Sequence, residues 1–196
     1  MAEKEILIYP KYKNALRQES NAVKVFNQQT RRLINDLKDT LLVHREGIGL
    51  AAPQIGIHLR VVVVRLGVRT DQEYLPGAPI ALINPEIVSV GDAQKDFDGC
   101  LSFPGLFGET IRPHHMKVTG LDENGKQFDR TFSGFNAVLV HHEIDHLNGV
   151  LFIDRVESID NLYKVHMDTS GKPIRVPLTQ IMQGKKAANR ILETLE

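Results

Sequence analysis

The amino-acid sequence predicts an α+β fold. Segments rich in β-branched residues occupy the middle of the chain, whereas segments with helical periodicity lie toward its two ends. This order favours separate helices and antiparallel strands over a wound parallel sheet. The 196 residues are 42% hydrophobic and 24% charged, which suffices for one buried core. We therefore expect residues 1–196 to form a single domain.

The first predicted helix covers about residues 23–44, where apolar side chains recur at helical spacing among polar ones. Gly47 is its natural end. Residues 47–56 then read GIGLAAPQIG, and the three glycines and one proline exclude a regular helix. This segment predicts a tightly shaped loop or strand edge whose backbone can approach a ligand closely.

Four segments are predicted strands: residues 61–66, 80–84, 117–121 and 127–132. The turn sequence Asp-Glu-Asn-Gly separates the last two and predicts an antiparallel hairpin.

Residues 135–147 are apolar on nearly all sides except for a cluster of His, Glu and Asp, which predicts a buried helix. The tail after about residue 156 has no clear pattern until a possible loop or short hairpin over residues 168–177. A C-terminal helix is possible over residues 178–195, although Gly184 weakens the helical pattern.

Charge and cysteine content exclude several functional classes. Lys+Arg and Asp+Glu are equal at 24 each, so no overall field attracts nucleic acid or an anionic membrane. A single cysteine cannot form an intramolecular disulfide. No apolar run is long enough for a signal sequence or a membrane span. We expect a cytoplasmic protein that binds no membrane and makes no sequence-specific contact with nucleic acid.

The strongest chemical signal is HEIDH at residues 142–146, an H-E-x-x-H pattern on a predicted helix. The i, i+4 spacing places His142 and His146 on one face, where both can bind one metal ion, with Glu143 beside the open coordination position.

A catalytic metal normally takes three protein ligands and a water, so a third ligand is required. Phe152 stands where one metalloprotease pattern has its third histidine. A peptidase with a downstream carboxylate ligand remains an alternative, and the sole cysteine, Cys100, is the upstream candidate. The available carboxylates are Glu157, Asp160 and Asp168.

Three motifs together resemble the peptide deformylase family. They are GIGLAAPQ at residues 47–54, GCLS at residues 99–102 and HEIDHL at residues 142–147. The resemblance extends weakly to about residue 156, roughly four fifths of the chain. It implies antiparallel sheets packed around the helix that carries H-E-x-x-H, in one catalytic domain. It also implies an enzyme that hydrolyses the formyl group from the N-terminal formyl-methionine of nascent proteins and releases formate.

The resemblance assigns roles residue by residue. The metal ligands would be Cys100, His142 and His146, and Glu143 would be the general acid and base. Gln54 and the backbone N–H of Leu101 would hold the oxyanion. The residues expected to contact substrate are Ile48, Gly49, Gly99, Leu101, Val138 and Leu139.

The implied cofactor is one divalent metal ion, Fe(II) in the cell by resemblance, with Zn, Ni or Co also suited to the ligand set. The implied partners are nascent formyl-Met polypeptides, at the ribosome, and we expect a monomer. Two other classes stay open: a zinc peptidase, and a deformylase-like binding protein without turnover. Intact Glu143 and Gln54 argue against the binding protein.

Two positions depart from the family pattern. Asp98 replaces the usual glutamate, and His141 replaces the usual glutamine. In the family that glutamate pairs with an arginine that matches Arg112. Because Asp is one methylene shorter, we expect a weaker or water-bridged pairing that supports the cysteine loop less well. His141 points about 100° away from the ligand beside it, so we expect it to be structural.

Overall fold

The structure, a computed structural model, describes residues 3–167 and 173–183. Its helices are α1 (Lys13–Leu16), α2 (Gln28–Val43), α3 (Phe135–Leu147) and α4 (Leu178–Gln183). Its strands are β1 (Gly49–Ala51), β2 (Val61–Val64), β3 (Gly67–Arg69), β4 (Tyr74–Pro76), β5 (Ile80–Val90), β6 (Ala93–Gly99), β7 (Leu106–Pro113), β8 (His115–Leu121), β9 (Gln127–Ser133), β10 (Leu162–Met167) and β11 (Pro173–Pro177). Short 3-10 helices span Ala52–Ile55, Phe152–Arg155 and Ile159–Asn161.

A five-stranded antiparallel sheet in the order β1-β2-β5-β8-β9 separates two apolar layers. Strand β2 consists of four valines, and both faces of the strand are buried. Val62 and Val64 lie in the cluster that includes α3, whereas Val61 and Val63 lie in the cluster that includes α2. Because successive strand side chains point to opposite faces, one run of valines serves both layers.

A second antiparallel sheet has the order β11-β10-β7-β6, and β3 pairs with β4 in a small separate hairpin. Helix α3 packs against β1, β2 and β9 of the first sheet and against β7 of the second. Eleven of its thirteen residues are buried. The predicted α+β fold, with antiparallel sheets around this helix, is confirmed.

The predicted helix over residues 23–44 begins too early. Helix α2 starts at Gln28 because the Asn27 side chain accepts hydrogen bonds from the Gln29 and Thr30 N–H groups and caps the helix. Residues 47–56 form β1 and a 3-10 helix, as their irregular sequence indicated. The predicted helix at residues 135–147 coincides with α3.

All four predicted strands are present, with shifted ends. β5 continues to Val90 past an irregularity between Ile83 and Glu86, where Asn84 has a positive φ of 49°. Strands β6 and β7 were not predicted, because their sequences contain the poor strand formers Asp, Gly and Pro. They pair with each other over seven residues, and this pairing overrides the local preference.

The expected hairpin near residues 168–177 exists as β10 paired with β11, although residues 168–172 lie outside the described part. Of the predicted helix over residues 178–195, residues 178–183 form α4, and the remainder also lies outside the described residues. Within residues 3–167 and 173–183, no helix combines the length and apolar character needed to cross a membrane.

Candidate metal centre

Helix α3 presents His142 and His146 on one face, one turn apart, with their ring centroids separated by 5.0 Å. Both side chains are buried, at 5% and 1% exposure. The apolar surroundings of α3 therefore keep the two imidazoles buried at a fixed separation.

Cys100 reaches these histidines from the end of β6. Its Sγ lies 3.3 Å from His146 Nε2, and one donor atom from each of the three residues lies within 4.8 Å of the others. Ligands at roughly 2.1–2.3 Å around one tetrahedral metal are separated by roughly 3.3–3.8 Å. One thiolate and two imidazoles at this spacing fit a single Zn-like or Fe-like ion.

The downstream carboxylates do not join this group in the part of the chain that the structure describes. Glu157 forms an exposed ion pair with Lys95 at 2.7 Å, and Asp160 interacts with Ser158. Asp168 lies outside the described residues. The alternative ligand set with Glu157 or Asp160 is therefore wrong for this fold.

Asp98 fixes the orientation of His142. Its Oδ1 lies 2.9 Å from His142 Nδ1, which leaves the other ring nitrogen for a metal. Such carboxylate–histidine pairs orient metal ligands and raise their basicity. Asp98 Oδ2 also accepts a hydrogen bond from Arg112 Nε at 2.8 Å. The pairing is thus direct and not water-bridged, because the long arginine side chain reaches the shorter carboxylate, and the expectation of a weaker pairing stays a prediction.

Arg112 is fully buried and joins Asp98 to a second carboxylate, Asp145, at 2.8 Å. Asp145 is also held by Arg155 at 2.7 Å. His141 contacts Arg112 at 2.7 Å and does not belong to the metal cluster, as expected of a side chain that points away from the ligand beside it. Asp145 lies inside the H-E-x-x-H motif and could have been suspected from the sequence, whereas no local pattern marks Arg155.

These contacts keep both carboxylates ionised. Burial alone would raise the pKa of Asp98, but the charges of His142 and Arg112 outweigh burial and lower the pKa well below its usual range. Burial alone would also raise the pKa of Asp145. Hydrogen bonds from His141 and Arg155, together with the charge of Arg112, outweigh burial and lower this pKa.

Glu143 lies at the floor of the site against the backbone of β1. A Cβ added to Gly49 would overlap the Glu143 carboxylate, so glycine is required for this approach. Glu143 Oε2 is buried and has no hydrogen-bond partner among the described residues. Burial raises the pKa of Glu143 to about 7, although the charge of His142 opposes the shift. A carboxyl group of this kind can both accept and donate a proton near neutral pH.

A hydrogen bond from the backbone orients the side-chain amide of Gln54 toward the metal centre. Its Oε1 accepts the Ala51 N–H at 2.8 Å, so Nε2 donates toward Ser102 Oγ at 3.2 Å and lies 3.4 Å from Cys100 Sγ. Gln54 therefore lies beside Cys100, and its expected role as an oxyanion donor stays a prediction. The contact with Ser102 was missed, although Ser102 belongs to the GCLS motif.

A cleft of about 470 Å³ opens onto His142, Glu143 and Cys100. All six residues expected to contact substrate line it: Ile48, Gly49, Gly99, Leu101, Val138 and Leu139. Four aromatic residues of the wall were not expected: Phe97, Phe103, Phe107 and Phe135. None of them belongs to a recognised motif, although Phe135 begins the helix that carries H-E-x-x-H, so the fold reveals their position in the wall.

Comparison with known proteins agrees with this site. The polypeptide deformylase family model matches residues 3–162. The peptide deformylase of Thermomicrobium roseum is 44% identical over 147 residues, which cover 75% of this chain and 83% of that protein.

Two solved structures are also similar. A peptide deformylase from Legionella pneumophila has a TM-score of 0.70 and 39% identity, with 81% and 88% of the two chains covered. A Met-Ala-Ser-bound class I type b peptide deformylase from Acinetobacter baumannii has a TM-score of 0.71 and 28% identity, with 79% and 99% covered. This chain therefore belongs to the peptide deformylase family.

Proposed function

We propose that this protein hydrolyses the N-formyl group of formyl-methionyl peptides and releases formate and a free N-terminus. The observation that carries the proposal is the cluster of half-buried Cys100 with buried His142 and His146, with Glu143 beside it, opening onto a cleft of about 470 Å³. The Acinetobacter relative, whose structure contains Met-Ala-Ser, supports a peptide that begins with methionine as the occupant of the cleft.

Cys100, His142 and His146 would hold one divalent metal ion. When bound, such an ion supplies a Lewis acid and lowers the pKa of water toward ~7. The S/N/N donor set suits Fe(II), Zn, Ni and Co, and we propose Fe(II) in the cell on the basis of the family.

Glu143 would move the protons of the reaction. Its carboxylate takes a proton from the attacking water and later gives it to the departing amine of methionine. The raised pKa of Glu143 suits both steps, and a cation in the site would bring that pKa back down and favour the basic form in the resting enzyme.

Gln54 and Leu101 would hold the negative oxygen that develops on the formyl carbon. The Gln54 amide is already fixed by Ala51, so its N–H group needs little reorganisation when charge appears. Each oxyanion donor of this kind is typically worth roughly 3 kcal/mol of barrier. The second donor would be the Leu101 backbone N–H.

The peptide would lie extended between two glycine-containing segments. Ile48 and Gly49 flank it on one side, and Gly99 and Leu101 flank it on the other. The methionine side chain would enter the apolar part of the cleft formed by Val138 and Leu139, on the turn of α3 before His142.

The test is formate release from formyl-Met-Ala-Ser, with acetyl-Met-Ala-Ser as the matched substrate. Because the space around the formyl carbon is crowded by both glycine segments, we expect the acetyl peptide to react at least ~10²-fold more slowly. The protein is purified anaerobically with Fe(II), and a Ni-substituted sample controls for oxidation. Cleavage of internal bonds without formate in both samples would establish a peptidase instead, and no reaction in either would favour the binding protein.

In the cell, the proposed substrates are nascent formyl-Met polypeptides as they emerge from the ribosome. We propose that the protein acts in the cytoplasm as a monomer, without binding a membrane or a specific nucleic-acid sequence. Its zero formal net charge supports the absence of strong electrostatic attraction to either polyanion.

A further inference from the structure

The second sheet, whose Phe97 and Phe107 line the cleft, continues beyond the residues that the family model matches. The family match ends at residue 162, whereas β10 begins at Leu162 and β11, from Pro173, continues the sheet to Pro177. β10 pairs with β7, and β11 pairs with β10. A surface that starts in the substrate cleft therefore continues onto a hairpin that the family model does not include.

A continuous row of side chains covers this surface. The Phe107 ring lies against Gly99, because a Cβ there would come within 2.6 Å of it. Phe97 stacks on Phe107 with ring centroids 5.5 Å apart, and the Arg175 guanidinium lies 3.7 Å from the Phe97 centroid. The row thus runs from a residue expected to flank the peptide to a cation on β11.

The strand register places these residues on one face. Tyr163 is the partner of Phe107, Val165 is the partner of Arg175, and alternate residues of a strand share a face. Tyr163 completes the surface beside Phe97, at 5.9 Å between ring centroids.

Arg175 is exposed and forms no ion pair with any residue in the described ranges 3–167 and 173–183. The nearby carboxylates already have partners. Asp96 pairs with Arg69, Glu157 pairs with Lys95, and Glu109 accepts hydrogen bonds from Asn161 and Tyr163. The guanidinium is therefore available to a carboxylate from outside the chain.

We propose that Arg175, resting on Phe97, is a specificity-determining residue that contacts the substrate beyond its methionine and favours an acidic side chain there. The proposal rests on the deformylase activity proposed above. The successive spacings of 5.5 Å and 3.7 Å span at most about three residues of an extended peptide at roughly 3.3 Å each. With methionine against Gly99, Arg175 meets the third or fourth residue of the substrate.

The experiment uses metal-loaded full-length protein and peptides of the form formyl-Met-Ala-Ala-X-amide, with X as Glu, Gln or Lys, and a second set with X at position three. The measured quantity is the ratio of kcat/KM for the Glu peptide to that for the Lys peptide. We expect a preference for Glu of about two- to fivefold, as for a partly exposed charge pair, which shrinks as salt is raised. Arg175→Glu should invert the preference.

Arg31→Glu is the matched control, because Arg31 also lies over an aromatic ring, that of Phe26, but on α2 and outside the cleft. It should keep the wild-type ratio. A purely structural role of Arg175 would change kcat/KM for all peptides equally, and an unchanged Glu-to-Lys ratio in Arg175→Glu would overturn the proposal. Formate release by the wild type with no charge preference would overturn it while leaving the deformylase activity intact. Absence of formate from every peptide would instead refute the activity itself.

Discussion

The metal centre has two sides that are held by different forces. On the helix side, His142 and His146 are placed by the 3.6-residue repeat of α3 and by the apolar core around it. On the strand side, Cys100 follows β6, and Asp98 of that strand is fixed by Arg112 on β7. One side depends on local helix geometry and hydrophobic burial, and the other on buried charges that come from distant parts of the chain.

Because of this difference, we expect the two sides to respond differently to the loss of one side chain. A helix packed on all sides tolerates the loss of one polar group, because its backbone remains fixed by burial. A buried ion network does not, since removal of one member leaves its partner charged and desolvated. Four substitutions, two of them paired with a control substitution, distinguish these responses.

Cys100→Ala should have the largest effect and remove most of the bound metal, since among the described residues the only cluster of potential metal ligands that contains the two histidines is completed by Cys100. Elemental analysis of the folded variant provides the measurement, with circular dichroism to verify folding. Near-stoichiometric metal in this variant would remove Cys100 from the ligand set.

Glu143→Ala should keep the metal and lose activity. Because Glu143 is a neighbour of the ligands and not one of them, its removal deletes proton transfer while the site stays assembled. We expect kcat to fall by ~10²-fold or more. Near-normal turnover with metal present would show that another group moves the proton.

Arg112→Met should destabilise the fold by about 3–5 kcal/mol, because Asp98 and Asp145 would both remain buried without their shared cation. Urea unfolding of the metal-free protein measures the loss. Arg155→Met is the control: its side chain is 39% exposed and contacts the same Asp145, so we expect a loss of about 1 kcal/mol or less. Equal losses would mean that the network is not held by burial of charge.

Asp98→Asn should weaken metal binding by about 10- to 100-fold, because His142 loses the carboxylate that orients it. Asp98→Glu keeps the charge and should lose less. Competition with a metal-sensitive dye gives both affinities. Identical affinities in the wild type and Asp98→Asn would show that α3 alone orients His142.

The same two sides explain what the sequence could predict. The i, i+4 histidines, the buried helix and the hairpin between β8 and β9 depend on contacts within a few residues, so pattern and propensity indicate them. The direct contact of Asp98 with Arg112, the strands β6 and β7 and the aromatic wall depend on pairing between distant segments. Residue spacing alone could not decide between Cys100 and the downstream carboxylates as the third ligand. The resemblance to a family identified Cys100.

Whether Cys100 completes the ligand set with the two histidines is tested most directly by X-ray absorption spectroscopy of the metal-loaded protein. The geometry predicts one sulfur scatterer at about 2.3 Å together with two imidazole nitrogens at about 2.0–2.1 Å. The sulfur signal should disappear in Cys100→Ala and persist in Glu143→Ala. A wild-type spectrum with nitrogen and oxygen ligands alone, and no sulfur, would contradict the assignment of Cys100 and the metal centre derived from it.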